Sequence, residues 1–140
     1  MSGLRWDMWL ALAFLVLGTL EVWAHEIRPA YLEIAESSPG RFDILWKMPA
    51  LGGAMLPLRP VLPEACPRTT ALLTYEMPDA VIQRWTIRCG EKPLAGQPVA
   101  IEGLSANLID VLVRIAFADG TVITQLLSPS VSSFVVAGKE

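Results

Sequence analysis

The sequence predicts an all-β domain, an antiparallel β-sandwich of immunoglobulin-like architecture preceded by a signal-peptide helix. Three observations carry this. Short segments alternate apolar and polar residues with period two, the pattern of half-buried strands. Turn signals such as Ser38-Pro39-Gly40 and Ala118-Asp119-Gly120 separate them at short intervals. Helical periodicity is almost absent after residue 24. Seven to nine strands are expected, which suits a sandwich.

The first element is different in kind. An apolar run from Met8 to Leu20 is shorter than the roughly 20 residues that span a bilayer, and it has the length of a signal-peptide core. Val22 and Ala24 supply small side chains ahead of a cleavage point. Residues 1–24 therefore read as an export signal and 25–140 as one periplasmic or extracytoplasmic domain. An uncleaved, membrane-attached anchor is the alternative. The strands follow in order. Pro29 to Ala35 alternates Tyr31, Glu33 and Ala35 against Leu32 and Ile34. Arg41 to Met48 places Phe42, Ile44, Trp46 and Met48 on one face, with Asp43 and Lys47 on the other. Five prolines between residues 49 and 67 remove backbone donors, so this stretch reads as a connection or an edge strand. Strand character returns at Ala71 to Glu76 and at Ala80 to Cys89, where Val81, Trp85, Ile87 and Cys89 share a face. Gln97 to Glu102 is a shorter candidate. Ile109 to Ala118 is the clearest strand, answered across a tight turn by Thr121 to Leu127. Ser133 to Ala137 closes the series.

Composition narrows the function. Arg5, Asp7 and Glu21 precede residue 25, leaving ten basic and twelve acidic residues in the exported part. The basic residues are scattered singly, which argues against nucleic acid as a partner. No second long apolar run follows, so no spanning helix is expected in the mature chain. The two cysteines, Cys66 and Cys89, pair most simply as a disulfide in an oxidising compartment. Enzyme templates fail: the single histidine, His25, stands at the start of the mature chain, and Gly103-Leu104-Ser105-Ala106-Asn107 lacks the last glycine of a nucleophile elbow. No phosphate-cradling loop, calcium loop or zinc-protease motif is present. Cleavage after Ala24 would free the His25 amine, which with the imidazole and Glu26 could hold copper or nickel. The plainer reading is that His25 and Glu26 begin a flexible terminus or the first strand. Trp46 and Trp85 read as core residues near the disulfide, with an aromatic ligand slot as the alternative, and Arg114 as a salt-bridged or solvated residue.

The ordered segments AHEIRPAYLEI (24–34), FDILWKMP (42–49), LRPVLPEAC (58–66), RWTIRC (84–89), IEGL (101–104), DVLVRI (110–115) and ADG (118–120) resemble the extracytoplasmic N-terminal region of HupE/UreJ-family membrane proteins. The resemblance covers nearly all of residues 24–136. It implies a β-rich exported domain ahead of a multi-helix membrane module associated with nickel or cobalt uptake. The sequence ends at Glu140, where that module would begin, so its metal-pathway residues have no counterpart here. What the resemblance carries over is the β-domain, the cysteine pair and a context. The expected function is a non-enzymatic accessory or docking module whose partner is a membrane metal transporter. A soluble copper- or nickel-binding protein using His25 is the second reading, and an exported hydrolase with a carboxylate site the third.

Overall fold

The computed structural model describes residues 28–50 and 55–138. Within them the chain forms nine strands: β1 (Ala30–Ser38), β2 (Arg41–Pro49), β3 (Arg59–Val61), β4 (Leu73–Glu76), β5 (Ala80–Arg88), β6 (Pro98–Glu102), β7 (Val111–Ala116), β8 (Val122–Leu127) and β9 (Ser133–Val135). A single 3-10 turn, Leu104–Ala106, follows β6. The strands form a six-stranded sheet in the order β4-β5-β2-β1-β7-β8 and a three-stranded sheet in the order β3-β6-β9. The signal segment, His25 and Glu26 lie outside the described residues.

Period-two alternation does what it predicts. In β2, Phe42, Ile44, Trp46 and Met48 are buried, and Leu32 and Ile34 of β1 and Val113 and Ile115 of β7 lie beside them. Leu58, Val99, Ile101 and Val136, from the smaller sheet and its flanks, join the same apolar cluster, so the two sheets share one core. Burying each large aliphatic side chain contributes about 1.5–3 kcal/mol. The proline-rich stretch supplies only β3, a three-residue edge strand containing Pro60. Proline lacks a donor, and an edge tolerates that.

One pairing departs from the antiparallel expectation. β1 lies between β2 and β7 and runs parallel to β7, from Ala30 opposite Val111 to Ala35 opposite Ala116. A hairpin forces its strands antiparallel, but the long connection between these two passes through the other sheet and imposes no such constraint. The larger sheet is therefore mixed. The Ile109–Phe117 face is buried as expected, and Leu108 just before it is 92% exposed.

Cys66 and Cys89 form a disulfide, and both cysteines are buried. It ties the loop after β3 to the end of β5. Backbone bonds reinforce it on both sides: Arg88 N–H donates to Pro67 O at 3.0 Å, and Cys89 N–H to Gly40 O at 2.8 Å. Trp46 is wholly buried, and its indole N–H meets no acceptor among the described residues.

Candidate functional site: the uncovered face of the larger sheet

The described residues form two layers, so each sheet packs on one face only. The smaller sheet buries one face of the larger, and the cross-strand register shows what the opposite face presents. One row across that face runs Tyr75, Ile82, Lys47, Tyr31, Leu112, Leu126. The next runs Leu73, Arg84, Leu45, Glu33, Arg114, Thr124. Leu73, Tyr75 and Leu126 are about half exposed, at 53%, 49% and 56%. A solvated sheet face is ordinarily polar. This one is an apolar field crossed by charge.

The charge is organised around Glu33. Tyr31 Oη donates to Glu33 Oε2 at 2.6 Å, and the Arg114 guanidinium stands 3.6 Å from the same carboxylate oxygen. Burial raises the Tyr31 hydroxyl pKa above its ordinary value, and the hydrogen bond to anionic Glu33 pushes it further the same way. Arg114 is thus salt-bridged, one of the two roles its place in the sequence suggested. Asp43 accepts the Thr86 hydroxyl at 3.3 Å. Both carboxylates of this face are therefore engaged. The Lys47 and Arg84 side chains have no hydrogen bond or ion pair among the described residues, so the face carries net positive character on a chain of net charge −3.

Two concave sites lie elsewhere. Trp85, half-buried where Trp46 is fully so, lines a groove of about 580 Å³ with Leu62, Cys66, Arg68 and Leu72. A second, of about 600 Å³, sits over the disulfide between Phe42, Cys89, Leu94 and Phe117, with Glu36 and Glu91 at its wall. Glu36 has a structural task there: its carboxylate accepts the Gly40 and Ala118 N–H groups at 3.3 and 2.9 Å, joining two turns.

The described residues hold no group of three or more His, Cys, Asp or Glu side chains arranged to bind a metal. His25 and Glu26, the metal ligands of the second reading, fall outside those residues. Around Ser105 the chain is a 3-10 turn opened by Gly103 in the left-handed region, and Ser105 is exposed. No described helix is long and apolar enough to cross a membrane. The alternation of a single strand does not reveal the uncovered face, because that face is assembled across strands. The available signal was Leu45, Ile82 and Leu112, apolar residues on nominally polar faces.

Fold and site together define a two-sheet β domain with one broad, apolar, cationic face. No family model, curated protein or solved structure matches the chain.

Proposed function

We propose that the chain is an exported, non-enzymatic docking module, a β-sandwich immunoglobulin-like in the broad sense of two facing sheets. Its uncovered face seats against a membrane protein whose outer surface pairs acidic side chains with apolar ones. One observation carries the reading: Lys47 and Arg84 stand without acidic partners among half-exposed Leu73, Tyr75 and Leu126. Apolar anchors within a charged surround are the anatomy of a protein interface, and cations left unpaired on an acidic chain favour an acidic complement. The resemblance to the extracytoplasmic part of HupE/UreJ proteins names the context, a membrane metal-uptake system on whose outer face the module acts as an accessory.

A photo-reactive phenylalanine in place of Tyr75, in cells producing the whole chain, tests this. The expected result is a crosslink to an integral membrane protein, absent when Lys47→Glu and Arg84→Glu are combined. A crosslink that survives charge reversal, or one only to soluble proteins, overturns it.

A further inference from the structure

Each sheet has two edge strands, and three of these four edges are guarded. β4 is four residues long, ends in Glu76 and is followed by Pro78 and Asp79; β3 carries Arg59 and Pro60; β9 is only three residues long. Short strands, charge and proline are the devices by which edges avoid pairing with another chain. β8 has none of them within the strand itself, Pro129 standing two residues past its end. Its six residues, Val122–Leu127, carry no charge and no proline, and no charged residue occurs from Thr121 to Ser133. Its ladder with β7 runs unbroken over six pairs.

Among the described residues, the backbone groups that this edge turns outward follow from the hydrogen-bond pattern. Phe117 N–H donates to Thr121 O at 2.8 Å, and these residues are in register with the β7–β8 ladder. Bonded and non-bonded pairs alternate in an antiparallel ladder. Ile123, Gln125 and Leu127 therefore bond inward to β7, and Val122, Thr124 and Leu126 direct their N–H and C=O groups outward. Beyond them Ser128 exchanges both of its backbone bonds with Val131, at 3.1 and 3.0 Å, and closes the edge. The Gln125 side-chain amide reaches Leu126 O at 3.3 Å, a surface contact that a stronger backbone donor displaces.

We propose that two copies of this chain pair β8 against β8, antiparallel about Thr124, and join their larger sheets into one of twelve strands. Centring on Thr124 sets Thr124 opposite its own copy and Val122 opposite Leu126 of the other. Only this register uses all three outward residues, giving six backbone hydrogen bonds. Centring one residue later sets Val122 against Ser128, whose backbone bonds are already made. Antiparallel self-pairing sets the central residue against its own copy, so an edge without charge meets no like-charge contact whichever residue is central. Glu76 at the end of β4 and Arg59 at the start of β3 bring charge into any such pairing; β8 brings none. Half-exposed Val122 and Leu126 pack across the new boundary.

The test is the mass in solution of the whole chain as recovered after export, by light scattering and sedimentation from 1 to about 100 μM, with three samples compared. Thr124→Glu keeps the monomer sound, because Thr124 lies opposite Arg114 on β7, yet it places two carboxylates together in the dimer. The wild-type chain is expected to dimerise, and Thr124→Glu to weaken this on the order of 100-fold, the scale of like-charge contact at an interface. An equimolar mixture of Thr124→Glu and Thr124→Lys is expected to restore it. A wild-type monomer at 100 μM overturns the proposal, as does a dimer indifferent to Thr124→Glu or a mixture that stays monomeric. Lys47 and Arg84 are untouched throughout, so failure here is distinct from failure of the docking reading.

Discussion

A methyl group added at Gly103 isolates one contact within the smaller sheet, where the end of β6 meets the approach to β3. Gly103 has φ 87° and closes β6 against the segment leading into β3. A Cβ at this position would overlap the Pro57 carbonyl oxygen, with the Leu58 side chain 3.7 Å away. Gly103→Ala therefore carries two costs. The left-handed conformation costs an L-residue about 1–2 kcal/mol. The overlap with a fixed backbone atom adds about 1–3 kcal/mol, the range for overpacked sites. Gly96, at φ 85°, has no atom within 4 Å of its hypothetical Cβ and so supplies the first cost alone. For a domain of roughly 110 residues the unfolding entropy is about 0.22 kcal/mol/K. Gly96→Ala should lower Tm by about 5–9 °C and Gly103→Ala by about 9–23 °C, measured by calorimetry below 5 μM with the disulfide intact. Equal shifts for the two variants would refute the contact with Pro57 and leave backbone strain as the whole effect.

Replacing Cys66 and Cys89 together by Ala is expected to cost about 3 kcal/mol, the loop-entropy value for their separation of 23 residues, read from urea midpoints. Both sulfurs are buried, so mild reductant on the folded protein should leave the bond intact until the chain opens. Leu32→Ala, in the centre of the core, should cost about 2–5 kcal/mol, and Leu108→Ala, at 92% exposure, less than about 0.5 kcal/mol. In a Tyr75→Phe background the ultraviolet titration follows Tyr31 alone. Its midpoint should lie above the ordinary tyrosine value and move down in Glu33→Gln, though not fully, because burial is the larger cause. A pKa raised on folding stabilises the fold below the unfolded value of about 10, and that contribution disappears as pH rises through the folded value. An unmoved midpoint in Glu33→Gln would remove Glu33 from the account.

Strands with one clean apolar face were legible because alternation reports burial directly. Arg41 to Met48 and Ile109 to Phe117 are buried where the pattern puts them. Alternation says which face a side chain takes, not which strand lies beside it, so the parallel β1–β7 pair could not be read. Nor could the six-and-three division of strands, which decides how broad the open face is. Residues 49–67 were legible as unfit for a sheet centre, but three residues with one proline are too few to show periodicity, and β3 went undefined. The absence of charge across Thr121 to Ser133 is visible in the chain. That it marks an unguarded edge depends on β8 being outermost, a property of topology alone.

Face and edge are linked by symmetry. Paired residues of an antiparallel ladder point to the same side, and Thr124 lies on the uncovered face beside Arg114. Pairing about Thr124 therefore brings the uncovered faces of two copies onto one side of a single sheet, with two sets of Lys47 and Arg84 facing the same way. A partner held at high density in a membrane would then be engaged twice, and the second contact adds avidity without any new chemistry. Thr124→Glu should weaken binding to membranes rich in the partner and leave binding to an isolated partner molecule unchanged. Lys47→Glu with Arg84→Glu should weaken both. Equal loss in the two settings for Thr124→Glu would mean that β8 touches the partner itself, and that the edge is part of the docking surface rather than a means of doubling it.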